Sequence, residues 1–238
     1  MKKLFIIGNW KSYKTAEETR EWFEKFSIFN FQFSMNDQNH NIQKEVILCV
    51  PYTVLSLAKS LLDQYQLPIK LGAQNISPFD EGKYTGEVNG KQIKEFADYV
   101  IIGHSERRKY FGETEDVVGQ KIARAISYEL TPIVCVSEVS QMQSAKIKMQ
   151  NDSAKCKNMI IAFEPLFAIG SGTPDSPENA ERVAATIVQE VPNFPVIYGG
   201  SVTSQNVHSF TSMPAISGVL PGGASLDAAE FAAIITNA

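Results

Sequence analysis

Eight short apolar runs recur along the chain, most of them followed by a polar turn and then by a helix-like stripe. The runs are Leu4–Ile7, Val46–Val50, Ile69–Leu71, Tyr99–Ile102, Pro132–Val136, Met159–Phe163, Pro195–Tyr198 and Ala215–Leu220. Most are rich in isoleucine and valine and apolar on both faces, which predicts buried strands of a parallel sheet. Between them Val54, Leu57, Ala58, Leu61 and Leu62 form one stripe, Val118, Ile122 and Ala125 a second, and Ala180, Val183, Ala184, Ile187 and Val188 a third. Spacing of three and four residues predicts amphipathic helices. Ser176-Pro177-Glu178 adds an N-cap followed by a proline at the first helical position. Eight β-then-α units average about 30 residues each, the usual size of such a unit. The pattern therefore predicts an α/β fold: a closed (β/α)8 barrel forming a single domain over residues 1–238. A doubly wound open sheet is the alternative.

Two segments break the rhythm. Residues 30–45 are polar and predict an extended end of the first helix or a surface loop. Residues 139–158 carry a thin apolar pattern, with Val139, Met142, Ile147 and Met149, and predict a shortened or irregular fifth helical region.

Composition narrows the function. A chain of 238 residues, 44% hydrophobic and 20% charged, has ample material for a large core. A net charge of −4 argues against general binding of nucleic acid, so any anion site must be built from local groups. Cys49, Cys135 and Cys156 are odd in number and far apart, which argues against a disulfide framework or a zinc site. A reducing compartment fits best, and the expectation is a cytoplasmic protein. The apolar start ends at Ile7, too early for a signal peptide, and no run approaches the roughly 18 residues of a membrane helix.

The chemistry-bearing residues fall just after the strands, where a parallel barrel builds its site. Strand 6 delivers Glu164, followed by Pro165 and by a small apolar loop ending in Gly170-Ser171-Gly172. Such a carboxylate is held in a water-poor place, as a general base requires, beside a loop whose N–H groups can wrap an anion. Strand 1 ends in Asn9-Trp10-Lys11, and strand 4 in Gly103-His104-Ser105-Glu106. Strand 7 ends in Gly199-Gly200-Ser201, and strand 8 in Pro221-Gly222-Gly223. Glycine loops after strands 6, 7 and 8 are the expected makings of a phosphate site. His104 opens a helix, whose positive end disfavours an added proton and predicts a neutral imidazole.

At these positions the chain resembles the triosephosphate isomerase family. The matches run through Gly-Asn-Trp-Lys at 8–11, Leu-Gly-Ala-Gln-Asn at 71–75, Tyr-Thr-Gly-Glu at 84–87 and Ile-Gly-His-Ser-Glu-Arg-Arg at 102–108. They continue through Ala-Phe-Glu-Pro at 162–165, Ala-Ile-Gly-Ser-Gly at 168–172, Tyr-Gly-Gly-Ser-Val at 198–202 and Gly-Gly-Ala-Ser-Leu at 222–226. The resemblance implies a TIM barrel that interconverts dihydroxyacetone phosphate and glyceraldehyde 3-phosphate without metal or organic cofactor, in glycolysis and gluconeogenesis. It implies Glu164 as the base, a role that general accounts of this enzyme assign to its glutamate alongside a neutral histidine, here His104, on the substrate oxygens. Lys11 would stabilise their negative charge, Asn9 would place them, and Glu106 would assist Lys11. The backbone of Gly170, Ser201, Gly222 and Gly223 would hold the phosphate.

It also implies a homodimer, in which the loop 74–87 enters the partner, Thr85 braces Asn9 and Lys11, and Glu87 meets Arg107. Departures cluster at the loop after strand 6. Phe163 and Phe167 stand where the family usually has Tyr and Trp, so Glu138 loses their polar tips. Closure is then expected to rest on Tyr198, reaching an N–H near Asp175, and on Ser201, reaching the glycine turn. Two rival readings share the residues: a barrel acting on another sugar phosphate, and a non-catalytic descendant. The combination of Lys11, His104 and Glu164 argues against the first, and the same three with an intact Asn9 argue against the second.

Overall fold

The computed structural model describes residues 2–36, 42–141 and 158–238. Eight parallel strands close into a barrel in chain order: β1 (Lys2–Asn9), β2 (Ile42–Val50), β3 (Ile69–Ala73), β4 (Tyr99–Ile102), β5 (Thr131–Val136), β6 (Ile160–Phe163), β7 (Val196–Tyr198) and β8 (Gly218–Val219). The ring closes where Phe5 and Ile6 of β1 pair with Gly218 and Val219 of β8. The open doubly wound sheet is thereby excluded. Around the barrel, among the described residues, lie α1 (Ala16–Asn36), α2 (Tyr52–Tyr65), α3 (Gly90–Lys94), α4 (Ser105–Phe111), α5 (Glu115–Ser127), α6 (Pro177–Glu190), α7 (Val207–Thr211) and α8 (Ala228–Asn237).

The strands are apolar on both faces because each face meets a different core. Leu4, Ile6, Leu48, Val50 and Ile161 point outward into the layer shared with the helices. Phe5, Ile7, Ile47, Cys49, Ile160 and Ala162 point inward and fill the barrel. Since strand side chains alternate, the inward parity of residues 5 and 7 continues to Asn9, and that of 160 and 162 continues to Glu164. The same alternation that fills the barrel with hydrocarbon thus lifts a carboxamide and a carboxylate to its carboxyl-terminal mouth.

Helix starts follow the expected capping chemistry. The Ser176 hydroxyl accepts from Asn179 N at 3.2 Å ahead of Pro177, and Asn89 and Gln92 form a capping box at α3. Two expectations need correction. Residues 42–45, read as part of a polar loop or helix end, belong to β2 and pair with Lys2–Phe5. Their polarity suits the lower rim of the barrel, where Glu45 pairs with Lys3 and Lys44 Nζ donates to Ile235 O at 2.9 Å, at the end of α8. The run Ala215–Leu220 is strand only at Gly218–Val219, and at its start Ala215 N is taken by the Glu181 carboxylate at 3.0 Å instead of a strand neighbour. The predicted irregularity of the fifth helical region falls almost wholly outside the described residues. Among the described residues no helix is long and apolar enough to cross a membrane.

Candidate active site

The mouth of the barrel holds a cavity of about 300 Å³. Asn9, Lys11, His104 and Glu164 line it, together with the glycine turns at Gly170, Gly200, Gly222 and Gly223 and with Ser201. Sequence positions as far apart as 9 and 223 are therefore brought to one cleft. Glu106 lines a neighbouring cavity of about 400 Å³ that shares Asn9, Lys11 and His104.

Glu164 is 1% exposed. One carboxylate oxygen accepts from Ser105 N at 3.1 Å, and the other faces His104 Nε2 at 3.1 Å. The Cys135 thiol, inside the barrel, also favours the ionised form of this carboxylate. Burial is the largest influence on Glu164 and acts to raise its pKa, but His104 and the other donors outweigh it and hold the group below the usual carboxylate range. The carboxylate is thus ionised but occupied.

His104 is the N-cap of α4, and its Nδ1 accepts from Glu106 N at 3.3 Å. A ring nitrogen that accepts a backbone N–H carries no proton, so the proton of the neutral ring sits on Nε2, directed at Glu164. The sequence argument for a neutral ring counted only the helix end. Burial does act to lower the His104 pKa, but the Glu164 carboxylate, followed by Glu106, reverses the direction and raises it.

Lys11 has a left-handed backbone, φ 53°, stabilised by its N–H on Asn9 Oδ1 at 2.9 Å. Its ammonium meets Glu106 at 2.5 Å. Gln74 Nε2 donates to the same Asn9 Oδ1 at 3.3 Å and to Cys49 O at 3.1 Å. Two donors thus saturate the side-chain oxygen of Asn9, which lines the cleft.

The glycines differ in what they tolerate. A side chain at Gly222 would press on Lys11 Cε at 3.1 Å, whereas at Gly223 a Cβ would meet nothing within 4 Å. Crowding thus opposes a side chain at Gly222 and not at Gly223. In the loop after β6, Gly170 and Gly172 have φ of 67° and 76°, left-handed values that glycine adopts without strain. Leu166 and Phe167 stand exposed beside them at 65% and 61%. Tyr198 Oη accepts from Asp175 N at 2.8 Å, as expected. Ser201 Oγ donates to Ala168 O at 2.9 Å rather than reaching the glycine turn. Ser140 Oγ donates to Glu138 at 3.2 Å.

Sequence reasoning missed the Ser105 N–H, Gln74 and Cys135. Ser105 acts through its backbone, and Cys135 is indistinguishable in sequence from the apolar residues of its strand. Gln74 stands within the matched segment 71–75, which is the signal that could have found it.

A buried carboxylate, a histidine, a lysine and three glycine turns around one mouth define an enzyme of the parallel-barrel class. The family model described as triosephosphate isomerase matches residues 4–238. The triosephosphate isomerase of Synechococcus sp. (strain JA-2-3B'a(2-13)) is 39% identical, covering 99% of this chain and 97% of that protein. That of Trichormus variabilis is also 39% identical and covers 99% of both. Among solved structures, triosephosphate isomerase from Bartonella henselae superposes with a TM-score of 0.76 at 30% identity, covering 97% of each chain. The chain belongs to the triosephosphate isomerase family, and its activity is the family's aldose–ketose isomerisation in glycolysis.

Proposed function

We propose that Glu164, His104 and Lys11 carry out the interconversion of dihydroxyacetone phosphate and D-glyceraldehyde 3-phosphate at this mouth, with residues 1–238 acting as one domain. Glu164 removes a proton from one carbon and returns it to the next. His104, its proton on Nε2, polarises the carbonyl and moves protons between the enediolate oxygens. The Lys11 ammonium stabilises their charge, Glu106 holds that ammonium, and Asn9 orients the oxygens. The backbone at Gly170, Ser201, Gly222 and Gly223 holds the phosphate. The observation that carries the reading is the approach of Glu164 to His104 at 3.1 Å beside Lys11 in one cavity. An enediolate phosphate readily expels phosphate, so the loop bearing exposed Leu166 and Phe167 serves to keep water out. The test is a coupled assay with D-glyceraldehyde 3-phosphate: turnover inhibited competitively by inorganic phosphate supports the reading. Turnover of a different sugar phosphate alone would overturn it.

A homodimer through the loop 74–87 belongs to the same proposal. Between β3 and α3 this stretch carries Phe79 and Tyr84, stacked at 4.3 Å and each 45% exposed. Beside the cleft, the cavity lined by Tyr52, Gln74, Arg107 and Phe111 offers a place for a second copy's loop. Burying such aromatic surface is favourable, and Thr85 at the loop's tip would then brace Asn9 and Lys11. Sedimentation at micromolar concentration is expected to give a dimer, and a monomer with full activity would refute the interface. Buried, unbridged Cys49 and Cys135 suit the reducing cytoplasm proposed as its location.

A further inference from the structure

We infer that Trp22, on the first helix, is a positioning residue for the turn that holds the substrate's phosphate, and that the chain's two tryptophans act there as a pair. The inference rests on the proposal that the strand-8 glycines contact phosphate. Just after β8, residues Gly223–Leu226 form one 3-10 turn. The first N–H groups of such a turn have no partner within it, and Gly222, Gly223 and Ala224 line the active-site cavity. What aims those N–H groups is the way the far side of the turn is fixed.

That far side is Ser225, which is fully buried. Its N–H and its hydroxyl both donate to Gly222 O, at 2.9 and 2.7 Å. Its carbonyl accepts two indole N–H groups, Trp10 Nε1 at 3.1 Å and Trp22 Nε1 at 3.2 Å. A carbonyl has two lone pairs, so this pair of donors saturates it and fixes the plane of the peptide that follows. The β-carbon of Ser225 rests on Gly8, where a side chain would approach it to 3.0 Å, so the turn sits directly on β1. Trp22 is itself immobilised. It stacks on Phe26 at 4.8 Å, meets Trp10 edge-on at 5.2 Å, and packs on Phe231 of α8 at 6.1 Å. Its only polar atom finds its partner in the phosphate-side turn.

Trp22→Phe removes that donor and keeps most of the ring volume. One hydrogen bond of ordinary strength corresponds to about 3–10-fold, so the inhibition constant for inorganic phosphate and the KM for glyceraldehyde 3-phosphate should rise by that factor. The kcat should change less than about 2-fold, because no reacting group moves. A lower melting temperature with unchanged phosphate inhibition would mean that Trp22 only packs, and would overturn the inference. Gly222→Ala, measured alongside, separates the two levels: if it leaves phosphate inhibition unchanged, the phosphate-site proposal itself fails. Where Trp22→Phe does not fold, the native chain labelled with 5-fluorotryptophan serves instead, since it holds only two tryptophans. Both fluorine resonances should then shift as inorganic phosphate saturates, and a resonance that stays in place overturns the pairing.

Discussion

Replacing Glu164 by glutamine should lower kcat by roughly 10²–10⁴-fold, the usual cost of losing a positioned general base, with a smaller change in KM. Glutamine matches glutamate in size but cannot take a proton from carbon. The geometry adds a second effect. One carboxylate oxygen accepts from Ser105 N and the other faces the Nε2 proton of His104. An amide has only one oxygen, so a variant that keeps the Ser105 bond turns its NH₂ group toward the histidine. The ring cannot respond by moving its proton to Nδ1, because Glu106 N–H already occupies that atom. The variant should therefore disturb His104 as well as remove the base. Glu164→Asp separates these effects, since it keeps the charge and both acceptors while drawing them back by one methylene. It should retain more activity than the glutamine variant. Near-normal turnover in purified Glu164→Gln would sink the assignment of the base.

The barrel was legible because each strand is buried twice. Ile47 and Cys49 face the interior while Leu48 and Val50 face the helices, so β2 reads as an unbroken apolar run. The cleft was legible for a related reason: polar residues that interrupt such runs at their carboxyl ends have few other places to go. What escaped was chemistry without a side-chain signature. The Ser105 amide is invisible in a sequence, and Trp22 reads as one more apolar residue of an amphipathic helix. Its polar edge matters only because the chain returns 203 residues later with Ser225. The pKa direction at His104 was missed because a helix end is local and can be read, whereas the opposing carboxylate arrives from another strand. Residues 42–45 misled for the opposite reason, since a strand protruding below the barrel can be polar and still pair.

The largest effect on stability should come from Glu113→Gln. Glu113 is 8% exposed, and one of its oxygens accepts from both Arg107, at 2.5 Å, and Lys121. The Lys121 side chain is 4% exposed and has one other partner, Asn75 Oδ1 at 2.6 Å. Glutamine would leave two cations converging on a neutral group, and Lys121 has no route to solvent. Breaking a buried pair in this way costs about 3–5 kcal/mol. At about 2–4 °C per kcal/mol for a chain of this size, the melting temperature should fall by roughly 6–20 °C. The pH dependence gives an independent check. Burial is the largest influence on Glu113 and acts to raise its pKa, but the two cations outweigh it and depress the folded value. A carboxyl with a depressed folded pKa contributes stability above its unfolded value, about 4.3, and loses it as pH falls through the folded value. Glu113→Gln should therefore be weaker at pH 7 and show a shallower loss of stability in acid. The double variant Glu113→Leu with Lys121→Met removes both buried charges and should recover much of the loss, leaving Arg107 to reach water through its exposed edge. A single variant within about 1 kcal/mol of the native chain at pH 7 would show that Lys121 is not held by this carboxylate.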